Sequence, residues 1–387
     1  MQDRQRRQAL LSELEKENLD ALVCFVPEDV LLVSGYWPVM ASSLAVLSRE
    51  GALHIILPED ELELATATAE AEFLAYKPGT LDRLSTVVEA LEQPIDTLAK
   101  QLRLGSARVG VLLHDTSQTQ SYQSGNHFHS AITPLLRRAY PDVALAPADV
   151  LLRRAKSIKT LDEVRIMRHL CQLAQAGFDA AREAIAPGRR EDEIIADISR
   201  AYAYVAQDGF ERGGGYFFCM SGPNSTKAAA AFARTRQRVV ESGDLVMIHA
   251  NTVGDGFWTD ITRTYTVGEP TYLQQRMRGA INEGRAAALA AVRPGAKASA
   301  VDAAAREVLA SHGFGKEFKH AVGHGVGFAA TDPGALPRLH PKSPDTLEAG
   351  MTFNIEPAIY IEGKGAMRHC DVVTCTDNGA EVLTNFN

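Results

Sequence analysis

The sequence has few of the features that mark membrane, secreted or nucleic-acid-binding proteins. None of its 387 residues belong to a run approaching the roughly 18 apolar residues of a membrane span, and no signal-peptide type of stretch precedes the first helical pattern. Its five cysteines are few and irregularly spaced, which argues against a disulfide framework and is consistent with a reducing compartment. We therefore expect a cytoplasmic protein with no membrane contact.

Clustered positive charge is also scarce. The net charge is −8 and the isoelectric point is near 5.8. Dense basic patches occur only at residues 4–7, 153–154 and 189–190, where they fit solvated helix faces. Because a nucleic-acid partner requires a clustered basic surface, we expect none. The hydrophobic content of 45% is ordinary for a globular protein.

A change of pattern near residue 150 divides the chain into two predicted domains, 1–152 and 153–387. The first alternates helix and strand and is predicted to be an α/β domain. Its predicted helices cover 4–18, 60–71 and 81–103, and its predicted strands cover 21–26, 44–47, 54–57 and 108–113.

The second domain begins with a long helix behind Thr160, where Glu163 completes a capping box. Mixed strands and helix pairs then predict a single α+β domain. Further helices are predicted at 191–208, 270–292 and 298–312, and strands at 215–220, 244–250, 256–267, 320–328, 351–361 and 367–375.

Five side chains in this second domain are metal-ligand types. His249 follows an apolar run, Asp260 lies on the other arm of the same hairpin, and His324 stands between two glycines. Glu356 and Cys370 belong to two strand patterns joined by a glycine-containing turn. Carboxylate, imidazole and thiolate are the ligands that zinc accepts.

Each of these residues also has an ordinary structural explanation. A strand cysteine is commonly an inert buried hydrophobe, and Gly-His-Gly can be a tight turn. The carboxylates can be ion-paired with Arg263 or Arg368. Since side chains alternate along a strand, Arg368 and Cys370 are expected on one face and His369 on the other.

Taken together, the motifs resemble a known family. The segments "DITRTY" (260–265), "GHGVG" (323–327), "IEPAIYI" (355–361) and "MRHCD" (367–371) are similar to the ordered signatures of the pita-bread, M24-type hydrolases. That family includes Xaa-Pro dipeptidases (prolidases), Xaa-Pro aminopeptidases, methionine aminopeptidases and metal-free creatinases. The segment "DVLLVSGY" (29–36) resembles the creatinase/prolidase N-terminal domain. The resemblance implies a pita-bread α+β catalytic domain that follows this α/β domain in the sequence.

The same resemblance implies a ligand set with two exchanges. Asp260, His324 and Glu356 agree with the family pattern, whereas members with two metals carry Asp at His249 and Glu at Cys370. Both replacements are themselves ligand types, and they shift preference toward zinc. The mapping favours one ion held by Asp260, His324, Glu356 and Cys370, with His249 supporting a weaker second ion or a water.

Two histidines of the family pattern are absent. Thr331 stands at the position of one, and Ala229 or Ala230 stands near the position of the other. His320 is retained, and with Glu356 it is the predicted catalytic pair. The candidates for substrate binding are Arg338, His340 and Arg368. A zinc ion with four protein ligands is usually structural, which is the main objection to catalysis.

The leading hypothesis is a homodimeric metallohydrolase that cleaves a small peptide or amide, of Xaa-Pro dipeptidase or aminopeptidase type. Homodimerisation and substrate are implied by the resemblance alone. One rival is a metal-free creatinase-like hydrolase of a carbon–nitrogen bond, with His249 or His320 as proton carrier. A second rival is a binding module of the same fold without catalysis, which Thr331 favours and the five ligand-type residues oppose.

Overall fold

A computed structural model describes residues 3–39, 43–77, 86–102, 107–113, 132–139, 141–229, 235–332 and 335–386. The chain divides into two compact units, Met1–Lys156 and Ser157–Asn387. The boundary placed from sequence, between residues 152 and 153, falls inside the helix Asp149–Ser157.

The first unit is built on one mixed sheet. Its strands are β1 (Ala21–Cys24), β2 (Leu44–Ser48), β3 (Leu53–Pro58), β4 (Glu72–Tyr76), β5 (Arg108–Val111) and β6 (Ala144–Pro147). They lie in the order β4-β3-β2-β1-β5-β6, and β1 pairs antiparallel with β2 and parallel with β5. Its helices are α1 (Arg4–Lys16), α2 (Pro27–Ser34), α3 (Leu62–Thr68), α4 (Val87–Leu102), α5 (Ile132–Ala139) and α6 (Asp149–Ser157). This architecture confirms the α/β prediction; residues 81–85 and 103 of one predicted helix lie outside the described residues.

The second unit combines short antiparallel sheets with two helix pairs. Its helices are α7 (Leu161–Ala184), α8 (Glu191–Ala203), α9 (Gly222–Ser225), α10 (Tyr272–Ala291) and α11 (Ala298–Ser311). Its strands are β7 (Gly213–Ser221), β8 (Leu245–Gly254), β9 (Phe257–Trp258), β10 (Ile261–Thr266), β11 (Thr352–Ile355), β12 (Ala358–Ile361), β13 (Gly365–Arg368), β14 (Asp371–Thr376) and β15 (Gly379–Val382). The sheets are ordered β10-β8-β7, β11-β14-β15 and β12-β13, and β9 pairs with β8. Apolar side chains of α10, α11 and β11, such as Met277, Leu309 and Phe353, share one buried core.

The capping box predicted from sequence is present at the start of α7. The Thr160 hydroxyl accepts from the Glu163 amide at 3.2 Å, and the Glu163 carboxylate accepts from the Thr160 amide at 2.8 Å. Two amides at the start of the helix, which have no intrahelical acceptor, are thereby satisfied, a contribution of about 1 kcal/mol.

Two long strands predicted from sequence are each interrupted. The run 351–361 divides into β11 and β12 at Glu356 and Pro357, where proline supplies no ladder donor. The run 367–375 divides into β13 and β14 at His369 and Cys370. Glu356 and Cys370 therefore lie at breaks between strands, where a side chain is released from the regular alternation.

The strand predicted over 320–328 is wrong. That segment is irregular and makes only isolated bridges, from Gly323 to Leu339 and from Gly325 to Phe353. A Cβ at Gly323 would lie 1.9 Å from the Asn354 carbonyl oxygen, so the backbone here approaches β11 too closely for a regular ladder with side chains.

Candidate metal centre

Three adjacent pieces of backbone bring His249, Asp260 and Cys370 together. In the ladder between β8 and β10, His249 lies opposite Thr262. Thr262 also bridges to Cys370, whose amide donates to the Thr262 carbonyl at 3.0 Å. Asp260 immediately precedes β10, so its side chain lies beside both of these neighbours.

The segment that carries His324 is fixed to β11 and α11. The His324 amide donates to Asn354 Oδ1 at 2.9 Å, and the Asn354 amide donates to the His324 carbonyl at 3.0 Å. From α11, Asp302 accepts from the Val322 amide at 2.9 Å, and Arg306 donates to the His320 carbonyl at 2.9 Å. These bonds hold an irregular segment in one position without a strand ladder.

On one side of Asp260, three predicted ligands face each other. His324 Nε2 lies 3.6 Å from Asp260 Oδ2 and 3.7 Å from Glu356 Oε1. His324 Nδ1 donates to the Gly325 carbonyl at 2.9 Å, so in the neutral ring Nε2 presents its lone pair to the carboxylates. The edge of a zinc tetrahedron is roughly 3.4 Å for metal–donor distances of about 2.0–2.2 Å. We call these three residues the His324 half. They fit a divalent cation if the separations between their donor atoms shorten slightly.

On the other side, Asp260 Oδ1 lies 3.6 Å from His249 Nδ1 and 3.7 Å from Cys370 Sγ. We call His249, Asp260 and Cys370 the His249 half. The Asn354 side-chain nitrogen donates to His324 Nε2 at 3.2 Å and to Cys370 Sγ at 3.4 Å. Because one amide reaches both atoms, a cation in its place would be close to imidazole and sulfur together.

Arg368 contacts the His249 half directly. Its Nη2 donates to His249 Nδ1 at 2.9 Å, its Nε donates to Thr262 Oγ1 at 3.1 Å, and its Nη1 lies 3.7 Å from Glu356 Oε2. The side chain is only 5% exposed. The predicted substrate arginine is thus engaged with site residues, and His369, which pairs with Asp371 at 3.3 Å, points away as expected.

The site is buried and its charges are closely coupled. Burial and the Glu356 carboxylate raise the pKa of Asp260. Burial, with Arg368 adding to it, lowers the pKa of His249 well below its ordinary value, and burial raises the pKa of the Cys370 thiol. Two acidic groups in one dry site favour a bound cation.

Across the described ranges, no three histidine, cysteine, aspartate or glutamate side chains are already closed around a metal position. In this site Asn354 and Arg368 supply donors to the same atoms instead. The His324 half fits the expected cation, whereas His249 gives its Nδ1 lone pair to Arg368.

The remaining predicted residues lie around this centre or in its neighbouring loop. His320 Nδ1 donates to the Ala321 carbonyl at 2.7 Å, and its Nε2 accepts from the Tyr360 hydroxyl at 2.9 Å. Arg338 is paired with Asp345 through Nε at 2.8 Å and Nη2 at 2.7 Å, which leaves Nη1 for any ligand. The exposed His340 accepts from the Lys342 amide at 3.1 Å.

Residues in contact with the site that were missed from sequence include Thr262, Asn354 and Tyr360. Asn354 is a polar residue between the apolar Phe353 and Ile355, a signal that could have identified it, whereas Thr262 lies in a strand with several polar residues and is not marked in this way. Of the lost histidine positions, Thr331 lies in a bend and Ala229 in a short 3₁₀ turn, while Ala230 lies outside the described residues.

The comparisons with known proteins agree over nearly the whole chain. The model of metallopeptidase family M24 matches residues 165–377, and that of the creatinase/prolidase N-terminal domain matches residues 6–158. The Xaa-Pro dipeptidase of Pyrococcus furiosus is 27% identical over 381 residues, covering 98% of each chain. The structure of the prolidase from Pyrococcus furiosus is 25% identical with a TM-score of 0.76, covering 97% of this chain and 99% of that one. The Xaa-Pro dipeptidase structure from Bacillus anthracis has a TM-score of 0.80 at 23% identity, covering 99% and 98%.

Fold and family matches together define a two-domain metallopeptidase, and the candidate ligands lie in its second domain. The chain belongs to metallopeptidase family M24 and has the pita-bread fold behind a creatinase/prolidase N-terminal domain. It is an enzyme of the M24 peptidase type, and peptidases of this family use divalent metals. The predictions of family, fold and enzyme class are confirmed. Within the described ranges, no helix is both long and apolar enough to span a membrane.

Proposed function

We propose that this enzyme hydrolyses the Xaa-Pro bond of a dipeptide or small peptide with one divalent cation, preferably zinc, in the His324 half. The observation that carries the proposal is the set of facing donor atoms, Asp260 Oδ2, His324 Nε2 and Glu356 Oε1, at separations of 3.6 and 3.7 Å. The similarity to an Xaa-Pro dipeptidase and to a prolidase supports this substrate class.

Cys370 is the fourth proposed ligand of the same ion, although its sulfur lies 3.7 Å from Asp260 Oδ1 in the His249 half and would have to turn toward the His324 half to bind the ion. It shares the Asn354 amide with His324, and a sulfur donor favours zinc over manganese or magnesium. The objection that four protein ligands close a zinc site is met if zinc takes a fifth, substrate-side position, as catalytic zinc sites do in the transition state. His249 is proposed to support this ligand set through Asp260 rather than to bind the ion.

When bound, the cation would polarise the substrate carbonyl and lower the pKa of a water molecule. Glu356 is proposed to accept the proton of the attacking water at Oε2, the oxygen turned away from His324. His320 is the proposed proton carrier, since its Nε2 already shares a hydrogen with the Tyr360 hydroxyl. Arg338 Nη1 and His340 are the proposed contacts for the substrate carboxylate.

The sequence resemblance further suggests a homodimer in the cytoplasm, and both remain predictions. Light scattering of the purified enzyme would give the oligomeric state. A monomer at micromolar concentration would contradict the dimer without affecting the proposed chemistry.

A dipeptide panel tests the substrate class. Wild-type enzyme is assayed with Ala-Pro, Met-Pro, Ala-Ala and Pro-Ala, each with zinc, manganese or cobalt. We expect turnover of the Xaa-Pro members only. Asp260→Asn should lose at least about 100-fold, since even outer-shell partners of a metal typically cost 10–100-fold, while the exposed Asp208→Asn control should match wild type. No turnover of any dipeptide would support the non-catalytic alternative.

A further inference from the structure

Asp260 separates two potential cation positions. Its Oδ2 faces the imidazole of His324, and its Oδ1 faces His249 Nδ1 at 3.6 Å and Cys370 Sγ at 3.7 Å. By donor type alone, imidazole, carboxylate and sulfur in the His249 half would suit a late divalent cation. In the His324 half, the Nε2 lone pair accepts from the neutral side-chain amide of Asn354 at 3.2 Å. The two halves differ because the corresponding donor in the His249 half is a charged guanidinium.

In the His249 half, the ligand lone pair is already engaged. A guanidinium can only donate, so the 2.9 Å contact from Arg368 Nη2 makes His249 Nδ1 the acceptor. The Thr262 hydroxyl, 3.0 Å away, reaches the same nitrogen. A cation could bind His249 here only after Arg368 had been displaced from a position where it is 5% exposed.

Charge leads to the same conclusion. Arg368 Nη1 lies 3.7 Å from Glu356 Oε2, so one carboxylate oxygen faces the guanidinium while Oε1 faces His324. Arg368 thus brings a permanent positive charge to the buried acids of the site. A second divalent cation would have to lie beside that charge in a dry environment, where repulsion is poorly screened.

We propose that Arg368, hydrogen-bonded to His249, is a built-in cation that takes the place of a second metal ion. The enzyme then binds one divalent cation, in the His324 half, and His249 anchors the arginine. This inference rests on the proposed function in one respect, because it assumes that the His324 half binds a divalent cation.

Metal content tests the inference independently of activity. Wild type, Arg368→Gln and Arg368→Lys are stripped, reloaded with a tenfold excess of zinc, desalted and measured by mass spectrometry. We expect one zinc per chain in wild type and in Arg368→Lys, which keeps the charge. Arg368→Gln should rise to two, because the charge is gone and His249 Nδ1 is released. Circular dichroism verifies that each variant is folded.

Two zinc ions in wild type, or one in a folded Arg368→Gln variant, would overturn the inference. Because removing a buried arginine can prevent folding, the wild-type count decides by itself if Arg368→Gln is unfolded: one ion supports the inference and two contradict it. A wild type that binds no metal would instead contradict the proposed function.

Discussion

At the scale of single residues, His249 has a position that its residue type alone did not reveal. It is 2% exposed, and its Nδ1 accepts from Arg368 while lying 3.6 Å from Asp260. A buried neutral imidazole between a guanidinium and a carboxyl group orients both. The sequence showed that a ligand-type residue stood there, but the direction of its lone pair depends on a contact with a residue 119 positions away.

Cys370 is expected to contribute to zinc affinity. Cys370→Ala removes the sulfur that shares the Asn354 amide with His324. Zinc should then bind at least about 10-fold more weakly, because losing even an outer-shell partner of a metal typically lowers its affinity by that factor. The measurement is zinc affinity by competition with a chromophoric chelator. His249→Ala should weaken binding less, because it removes only a neighbour of Asp260.

A matched control is available on the next strand. Cys375 is also a free, buried cysteine, and its sulfur contacts the Thr376 carbonyl rather than the site. Cys375→Ala should leave zinc affinity unchanged. Equal affinity for wild type and Cys370→Ala would remove the sulfur from the ligand set.

At the scale of secondary structure, candidate ligands lie at the breaks between strands. Glu356 and Cys370 lie where predicted long strands are interrupted, and His324 lies in a segment wrongly predicted to be a strand. Apolar periodicity identifies buried runs but cannot show where a ladder ends, because that depends on partners distant in sequence. Other elements were missed altogether; they are α2, β4, α5, β6, α6, α9 and β15.

Gly323→Ala is predicted to disturb the site through the backbone. The added Cβ would meet the Asn354 carbonyl oxygen at 1.9 Å, so the segment carrying His324 must move away from β11. We expect a loss of at least about 2 kcal/mol in the free energy of unfolding, as for overpacking, together with weaker zinc binding. Chemical denaturation and zinc titration measure the two effects.

Gly279→Ala serves as the comparison, because its added Cβ has nothing within 4 Å in α10. As an exchange in the interior of a helix, it should be neutral or stabilising by about 0.5–1 kcal/mol. A Gly323→Ala variant as stable as wild type would show that the close approach to β11 does not position His324.

At the scale of the whole molecule, two domains and a family were predictable because five motifs occur in a fixed order along the chain. The four long helices of the second unit, α7, α8, α10 and α11, were also predictable, and the Thr160 capping box marks the start of the first of them. The pairing of Arg338 with Asp345, and of Arg368 with His249, was not, because a list of charges does not specify which ones meet after folding.

The central claim is that hydrolysis by this enzyme depends on one divalent cation in the His324 half. The most direct measurement is the rate of Ala-Pro hydrolysis before chelation, after chelation, and after zinc is added back in increments to the stripped enzyme. We predict that the stripped enzyme is inactive and that activity is fully restored at one equivalent of zinc per chain. An unchanged rate after the metal content has fallen to background would contradict the account and support the metal-free alternative.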